Sequence, residues 1–244
     1  MSLTRVSSAC ALAGVLVLLA GCGSSSSSSS GGTTASSTST TASSSPSGTP
    51  ATVMQLKKIV LQPGDLPSAW KASAAEPDSS QGEGDLAKCV GGRNTDSDQV
   101  ATTDSDDYSL ADATISSSAS SYKSQSDVDS DVALLKSPKL TACAKQVFKK
   151  DLASSMPEGS SLGTLSVKFT PGPGAGPANV AGVGSVSVPI TASGQQAMVY
   201  VDFVFVTGPL MEAEVDAENI GAPVPAAVLQ AAVKAVADRA ASNS

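Results

Sequence analysis

The chain has 244 residues, a net charge of −7, four cysteines, no histidine and 3% aromatic residues. Its acidity excludes charge-driven tracking of a nucleic-acid backbone. The missing histidine excludes a Ser-His or Cys-His nucleophile and a His-ligated zinc, and the sparse aromatics argue against stacking platforms for bases or sugar rings.

Residues 1–22 read as an address rather than part of a fold. Arg5 supplies a short basic start, and an apolar stretch runs from Ala9 to Ala20. That stretch is shorter than the roughly 20 residues a membrane span needs. It ends in Leu19-Ala20-Gly21-Cys22. All four positions resemble the lipobox of bacterial lipoproteins, Leu-[Ala/Ser]-[Gly/Ala]-Cys. The resemblance implies that residues 1–21 are a lipoprotein signal peptide cleaved before Cys22. It also implies that the Cys22 thiol takes a diacylglycerol and its fatty acyl chains. The alternative is an ordinary secretory leader with a chance cysteine. Cys10 falls within the discarded peptide. Two or more acyl chains anchor a protein stably. The predicted location is therefore the extracytoplasmic face of the cell membrane, with Cys22 as the membrane contact.

Residues 22–51 form the lipidated cysteine and a linker. Gly23 to Pro50 holds 14 Ser and 6 Thr in 28 residues and no charge. Such a tract has nothing to bury and is predicted to be disordered, with a root-mean-square span of about 30 Å. Ser/Thr-rich stalks with proline can carry O-linked sugars. Residues 52–244 are then one extracytoplasmic domain, long enough for a sizeable core.

Val53, Leu56, Ile59 and Val60 recur at helical spacing, and Pro63-Gly64 closes that helix. Asp65 to Trp70 is a turn that delivers the single tryptophan. Trp70 is read as a plug under the turn, with ligand contact as the alternative. Gly91 to Asp107 is polar and acidic and is predicted to be a surface loop. Ala113 to Lys123 reads as a Ser-rich strand. Asp127 to Leu135 reads as a helix whose acidic first turn suits the helix dipole. A second helix follows Pro138 through about Ser154.

From Leu162 the period becomes two. Leu165, Val167 and Phe169 alternate with polar residues, as do Val186, Val188 and Ile190. Ser193-Gly194 is a hairpin signal. Ala197 to Val206 is the most hydrophobic strand, apolar on both faces from Phe203. Thr207-Gly208-Pro209 turns again, and Met211, Ala213 and Val215 alternate with Glu212, Glu214 and Asp216. Pro223 and Pro225 precede a closing helix with Leu229, Val233 and Val236 on its apolar stripe. The predicted fold is α+β: an antiparallel meander sheet with helices packed on one face.

Two cysteines remain in the domain, Cys89 and Cys143. Outside the cytoplasm such a pair is predicted to form a disulfide, closing a loop of about 55 residues and contributing about 4 kcal/mol. A free or metal-binding pair is the alternative, though two thiols without histidine make a poor zinc site.

Several patterns imitate chemistry. Gly159-Ser160-Ser161-Leu162-Gly163 matches G-x-S-x-G, but a helix precedes it, a strand follows it, and no histidine exists to act as base. Ser120-Ser121-Tyr122-Lys123 matches S-x-x-K, but in a strand, without a later S-D-N or K-T-G. Asp96 to Asp107 spans a calcium-loop length, yet Ala101 stands where glycine is needed, and Val100 sits in the ligand half. Asp127, Asp129 and Asp131 repeat D-x-D-x-D, but Pro138 takes the closing position. Gly172 to Pro177 lacks the helix a dinucleotide fingerprint must open. No metal, cofactor or catalytic residue is predicted.

The pieces Leu61, Asp65-Leu66-Pro67, Trp70, Cys89-Val90-Gly91 and Ala142-Cys143 resemble the PknH-like extracellular sensor domains of actinobacterial envelopes. The resemblance spans residues 52–241. It implies a sheet backed by helices and a cleft that receives a ligand. Those domains commonly carry two disulfides, whereas this chain can form one.

The function expected is a non-catalytic lipoprotein domain that binds or senses something in the envelope. A pocket is expected beside the strand Ala197 to Val206, with Tyr200 and Asp202 as polar handles and Trp70 as a further contact. Alternatives are a protein-docking or structural lipoprotein, and a hydrolase using Ser-Lys or carboxylate chemistry.

Overall fold

The computed structural model describes residues 48–75, 82–156, 158–172 and 179–242. The leader, Cys22, the linker up to Ser47 and most of the Gly172–Pro177 connection lie outside the described residues.

The elements in chain order are α1 (Val53–Leu56), β1 (Lys71–Ser73), α2 (Gly82–Val90), a 3-10 turn (Asp96–Asp98), β2 (Gln99–Asp104), β3 (Asp107–Leu110) and β4 (Ala113–Tyr122). They continue with α3 (Gln125–Leu135), α4 (Leu140–Ser155), β5 (Ser161–Leu162), β6 (Ser166–Pro171), β7 (Val180–Ala192), β8 (Gln195–Gly208), β9 (Met211–Ile220) and α5 (Ala226–Ser242). Among the described residues, nine strands form one antiparallel sheet. The run β6-β7-β8-β9 is a meander, and β4 joins β9 from the far side. On the outer side of β4, both β2 and β3 pair.

The α+β class and the antiparallel meander are as predicted. The layering differs. The helices cover both faces of the sheet rather than one. Along β8, Val204 and Val206 belong to a core with Leu56, Ile59 and the α5 residues Val233 and Val236. Val201, Phe203 and Phe205 belong to a second core with Leu86 of α2 and Leu140, Val147 and Phe148 of α4. Successive residues of a strand point to opposite faces, so a strand apolar at consecutive positions needs cover on both sides.

The Gly91–Asp107 segment is not a simple loop. Gln99–Asp104 pairs with β4 as β2. Its sequence, Gln-Val-Ala-Thr-Thr-Asp, has too little apolar alternation to announce a strand, and β4 as a template decides it. The closing turns follow the sequence. Ser193 and Gly194 both have positive φ, 52° and 77°, as a tight two-residue hairpin requires.

All four phenylalanines of the chain meet in the second core. Phe203 stacks on Phe148 at 5.6 Å and on Phe169 at 6.0 Å, and lies 6.3 Å from Phe205. Gly184 makes this possible, because a Cβ there would lie 2.3 Å from the Phe203 ring. The Cys89–Cys143 disulfide, with Cα atoms 5.7 Å apart, joins α2 to α4 over this core.

Ser117, Ser118, Ser120 and Ser121 of β4 are buried, and they serve two faces. Towards α1, Ser117 Oγ accepts from the Leu61 amide at 2.8 Å and Ser121 Oγ donates to the Ala51 carbonyl at 2.7 Å. Towards α3, Ser118 and Ser120 face a cavity. Among the described residues, no helix is long and apolar enough to cross a membrane.

Candidate functional site

The site lies between the α2/α3 side of the molecule and the sheet. Register builds its floor. Ser118 pairs with Glu214, and Ser120 with Glu212, so these four side chains share one face. On the other side of β9, Phe205 lies opposite Glu214 and extends that face. Helix α3 starts where Ser124 donates from its amide and its hydroxyl to Asp127 Oδ2, at 3.0 and 2.8 Å. These bonds fix the N-terminal end of α3, which presents Asp131, Leu134 and Leu135 to the cavity. Leu86 and Leu140 complete the apolar wall.

The cavity has a volume of about 50 Å³. One water needs roughly 10–15 Å³ by that measure, so the space suits several waters or a compact organic molecule.

The polar groups are connected. The Tyr122 hydroxyl donates to Glu212 Oε2 at 3.2 Å. Thr95 Oγ1 donates to Asp131 Oδ2 at 2.5 Å. Burial pushes the Glu212 carboxyl well above the usual carboxylate range, the Asp131 charge adds to the rise, and Tyr122 offsets part of it. Burial likewise raises Asp131 to about 6, against hydrogen bonds from Thr95 and Tyr122. Ser118, 2% exposed, keeps its Oγ sealed from solvent with no hydrogen-bond partner, as does Glu212 Oε1. Buried polar atoms left this way cost about 1–3 kcal/mol each, so such a site gains by supplying partners.

At the rim Arg93 is half exposed and bound to two carboxylates. It contacts Asp98, and it reaches Asp127 Oδ1 at 2.5 Å. Asp98 also receives Lys123 Nζ at 3.4 Å. This part of the acidic stretch is therefore an ion-pair network. Among the described residues, no group of three or more Asp, Glu, Cys or His side chains is placed to hold a metal ion.

The expected handles lie elsewhere. Tyr200 and Asp202 pair with Asn219 and Ala217, which puts them on the opposite face of the sheet from Phe203 and Phe205. Asp202 there accepts from Ser185 Oγ at 2.6 Å. Trp70 is 8% exposed and packs in the α1/α5 core with Leu61 and Leu66. None of the three lines the cavity. The expected strand does reach it, but through its far end, Phe205 and Val206.

The decoys resolve locally. Lys123 is drawn to the Ser97 carbonyl at 2.8 Å, while Ser120 Oγ donates to Thr102 Oγ1 at 3.1 Å. Ser161 begins the short strand β5 after a turn in which Gly159 has φ +82°.

Sequence reasoning missed Glu212, Glu214 and Asp131. The alternation Met211 to Asp216 reads as one core face and one solvent face, yet Glu214 is only 4% exposed. A usable signal existed in the serine-rich strand β4. A strand with serine on both faces suits a polar neighbour inside the fold.

No protein-family model matches the chain, and no curated protein matches it. Among solved structures, the chain is similar to the extracellular domain of PknH from Mycobacterium tuberculosis. The TM-score is 0.40 and the identity 11%, over 78% of this chain and 97% of that one.

Proposed function

We propose that the chain is a non-catalytic, lipid-anchored domain of the cell envelope that binds or senses a small molecule in the cavity under α3. The carrying observation is the cavity itself. It has apolar walls, a carboxyl floor and the unpartnered Ser118 Oγ in its lining. Sites with a mostly apolar lining and a few convergent polar groups are the usual form of small-molecule pockets. The Cys89–Cys143 disulfide supports an oxidising compartment. The lipobox-like Leu19–Cys22 and the uncharged Ser/Thr stretch support a tether with a spacer.

A fragment screen read by amide chemical shifts tests the cavity. Binders are expected to move Ser118, Ser120 and Leu135, and Val132→Trp, placed in the lining, is expected to abolish them. A screen that moves none of these amides, or a Val132→Trp protein that binds equally, overturns the reading. Cys22→Ser tests the tether. The protein is expected to leave the membrane fraction, and retention there refutes lipidation at that residue.

The second reading is a carboxylate hydrolase. Asp131 and Glu212 sit in one cavity with environments that separate their proton affinities, as acid and base pairs require. Turnover of nitrophenyl glycosides that Glu212→Gln abolishes would replace the binding proposal with this one.

A further inference from the structure

We infer that the ligand is a small amphipathic ammonium, its cationic head set against Glu212 and Asp131 and its short apolar body along Leu134, Leu135 and Phe205. This rests on the cavity being the binding site and names the chemistry it would take.

Three independent features converge. First, two oxygens of the lining, the Ser118 hydroxyl and one Glu212 carboxyl oxygen, can each accept a hydrogen bond. Glu212 Oε1 and Ser118 Oγ are sealed and unpartnered. An ammonium brings up to three donors and no acceptor, whereas an alcohol brings one donor and a carboxylate none. Second, the charge is unbalanced. Asp131, Glu212 and Asp96 share the lining, and Arg93 is the lone lining cation among the described residues. Arg93 is already engaged by Asp98 and Asp127. A carboxylate ligand would add a like charge to a buried acidic floor, which is strongly unfavourable. Third, the apolar side chains lie on the α3 and β8 sides of the cavity, so one molecule can meet both surfaces.

Burial favours the protonated form of Glu212, the Asp131 charge adds to that, and the Tyr122 hydroxyl opposes it. Binding replaces that proton with the ammonium, and the proton passes to solvent. The titratable and charged groups around it are Tyr122 on β4, Asp131 on α3, Glu214 on β9, and Asp96 and Arg93 from the segment before β2. The one cation of the described lining, Arg93, is engaged by Asp98 and Asp127.

The test is an amide-shift titration of the disulfide-bonded protein with hexylammonium, hexanol and hexanoate, three probes sharing one apolar body. Hexylammonium is expected to bind at least about tenfold more tightly than hexanol, and hexanoate more weakly than both. Glu212→Gln is expected to cost hexylammonium about tenfold while leaving hexanol within about twofold. Asp131→Asn carries the same expectation and serves if the first variant does not fold. Hexanol or hexanoate binding as well as hexylammonium overturns the ammonium class while the cavity reading stands. Unchanged hexylammonium affinity in both variants also overturns it. If none of the three probes moves Ser118, Ser120 or Leu135 while fragments of other chemistry do, the class alone fails. If no molecule moves them, the binding-site reading fails with it.

Discussion

The Tyr122 hydroxyl donates to Glu212 Oε2 at 3.2 Å, and the same hydroxyl lowers the proton affinity of Asp131. Two strands and a helix thus meet at one phenol. Tyr122→Phe removes a donor that favours both ionised carboxyls. Both titrations are expected to move to higher pH, read directly by carboxyl carbon NMR. Downward movement of either would show that the phenol acts on the carboxyls in another way.

Buried carboxyls govern stability against pH. Burial raises Asp131 from 3.8 to about 6 and Glu218 from 4.5 to about 7. A carboxyl with a raised folded value keeps its proton longer in the folded state. Its stabilising effect is complete below the unfolded value and is lost as pH rises through the folded one. Asp98, held down by Arg93, acts in the opposite sense. So does Asp65, where Arg239 and the Gln62 amide overcome the upward push of burial. Those two effects are complete above about pH 4–5. The urea midpoint is therefore expected to fall between about pH 5 and pH 8, and Glu218→Gln to flatten that fall by about 1–3 kcal/mol. A midpoint that climbs over this range contradicts the assignment.

The disulfide joins positions 54 apart in sequence and encloses β2, β3, β4 and α3. Replacing both Cys89 and Cys143 with serine is expected to cost about 2–4 kcal/mol. Calorimetry of the variant against the oxidised protein measures it. The cavity wall contributed by α2 should loosen as well, visible as faster amide exchange at Leu86 and Ala87. Unchanged exchange there would mean that α2 docks without its covalent link.

Arg239 near the end of α5 ties that helix to the segment that follows α1. Its Nη1 and Nη2 meet Asp65 Oδ1 and Oδ2 at 3.1 and 2.6 Å, and it also donates to the Ile59 and Val60 carbonyls. Four contacts from one planar fork cannot be reproduced by an ammonium. Arg239→Ala is expected to destabilise by about 2–4 kcal/mol, and Arg239→Lys to recover less than about half of that. Full recovery in the lysine variant would reduce the contact to simple charge pairing.

Much of the strand content was legible because its signals are local. The β7–β9 alternation, the Ser193-Gly194 turn and the apolar stripe of α5 depend on residues a few positions apart. Strand β2 was not legible, because its pairing depends on β4. Asp131 was read as part of a helix, and its burial came from what the helix covers. Tyr200 and Asp202 lie on β8 on the face opposite Phe203 and Phe205, and residue pattern along one strand does not say which face opens into a cavity.

Composition and local pattern by themselves determined that the chain has no histidine chemistry, where two cysteines remain to pair, and which segments alternate as strands. Those properties follow from residue type and short-range spacing. Tertiary structure alone decided that helices cover both faces of the sheet, that the acids of β9 turn inward, and that Ser118, Glu212 and Asp131 share a cavity. Each of those outcomes is set by which strands become neighbours. In a sheet the neighbour fixes the face, and the face decides whether a carboxyl meets water or a buried site.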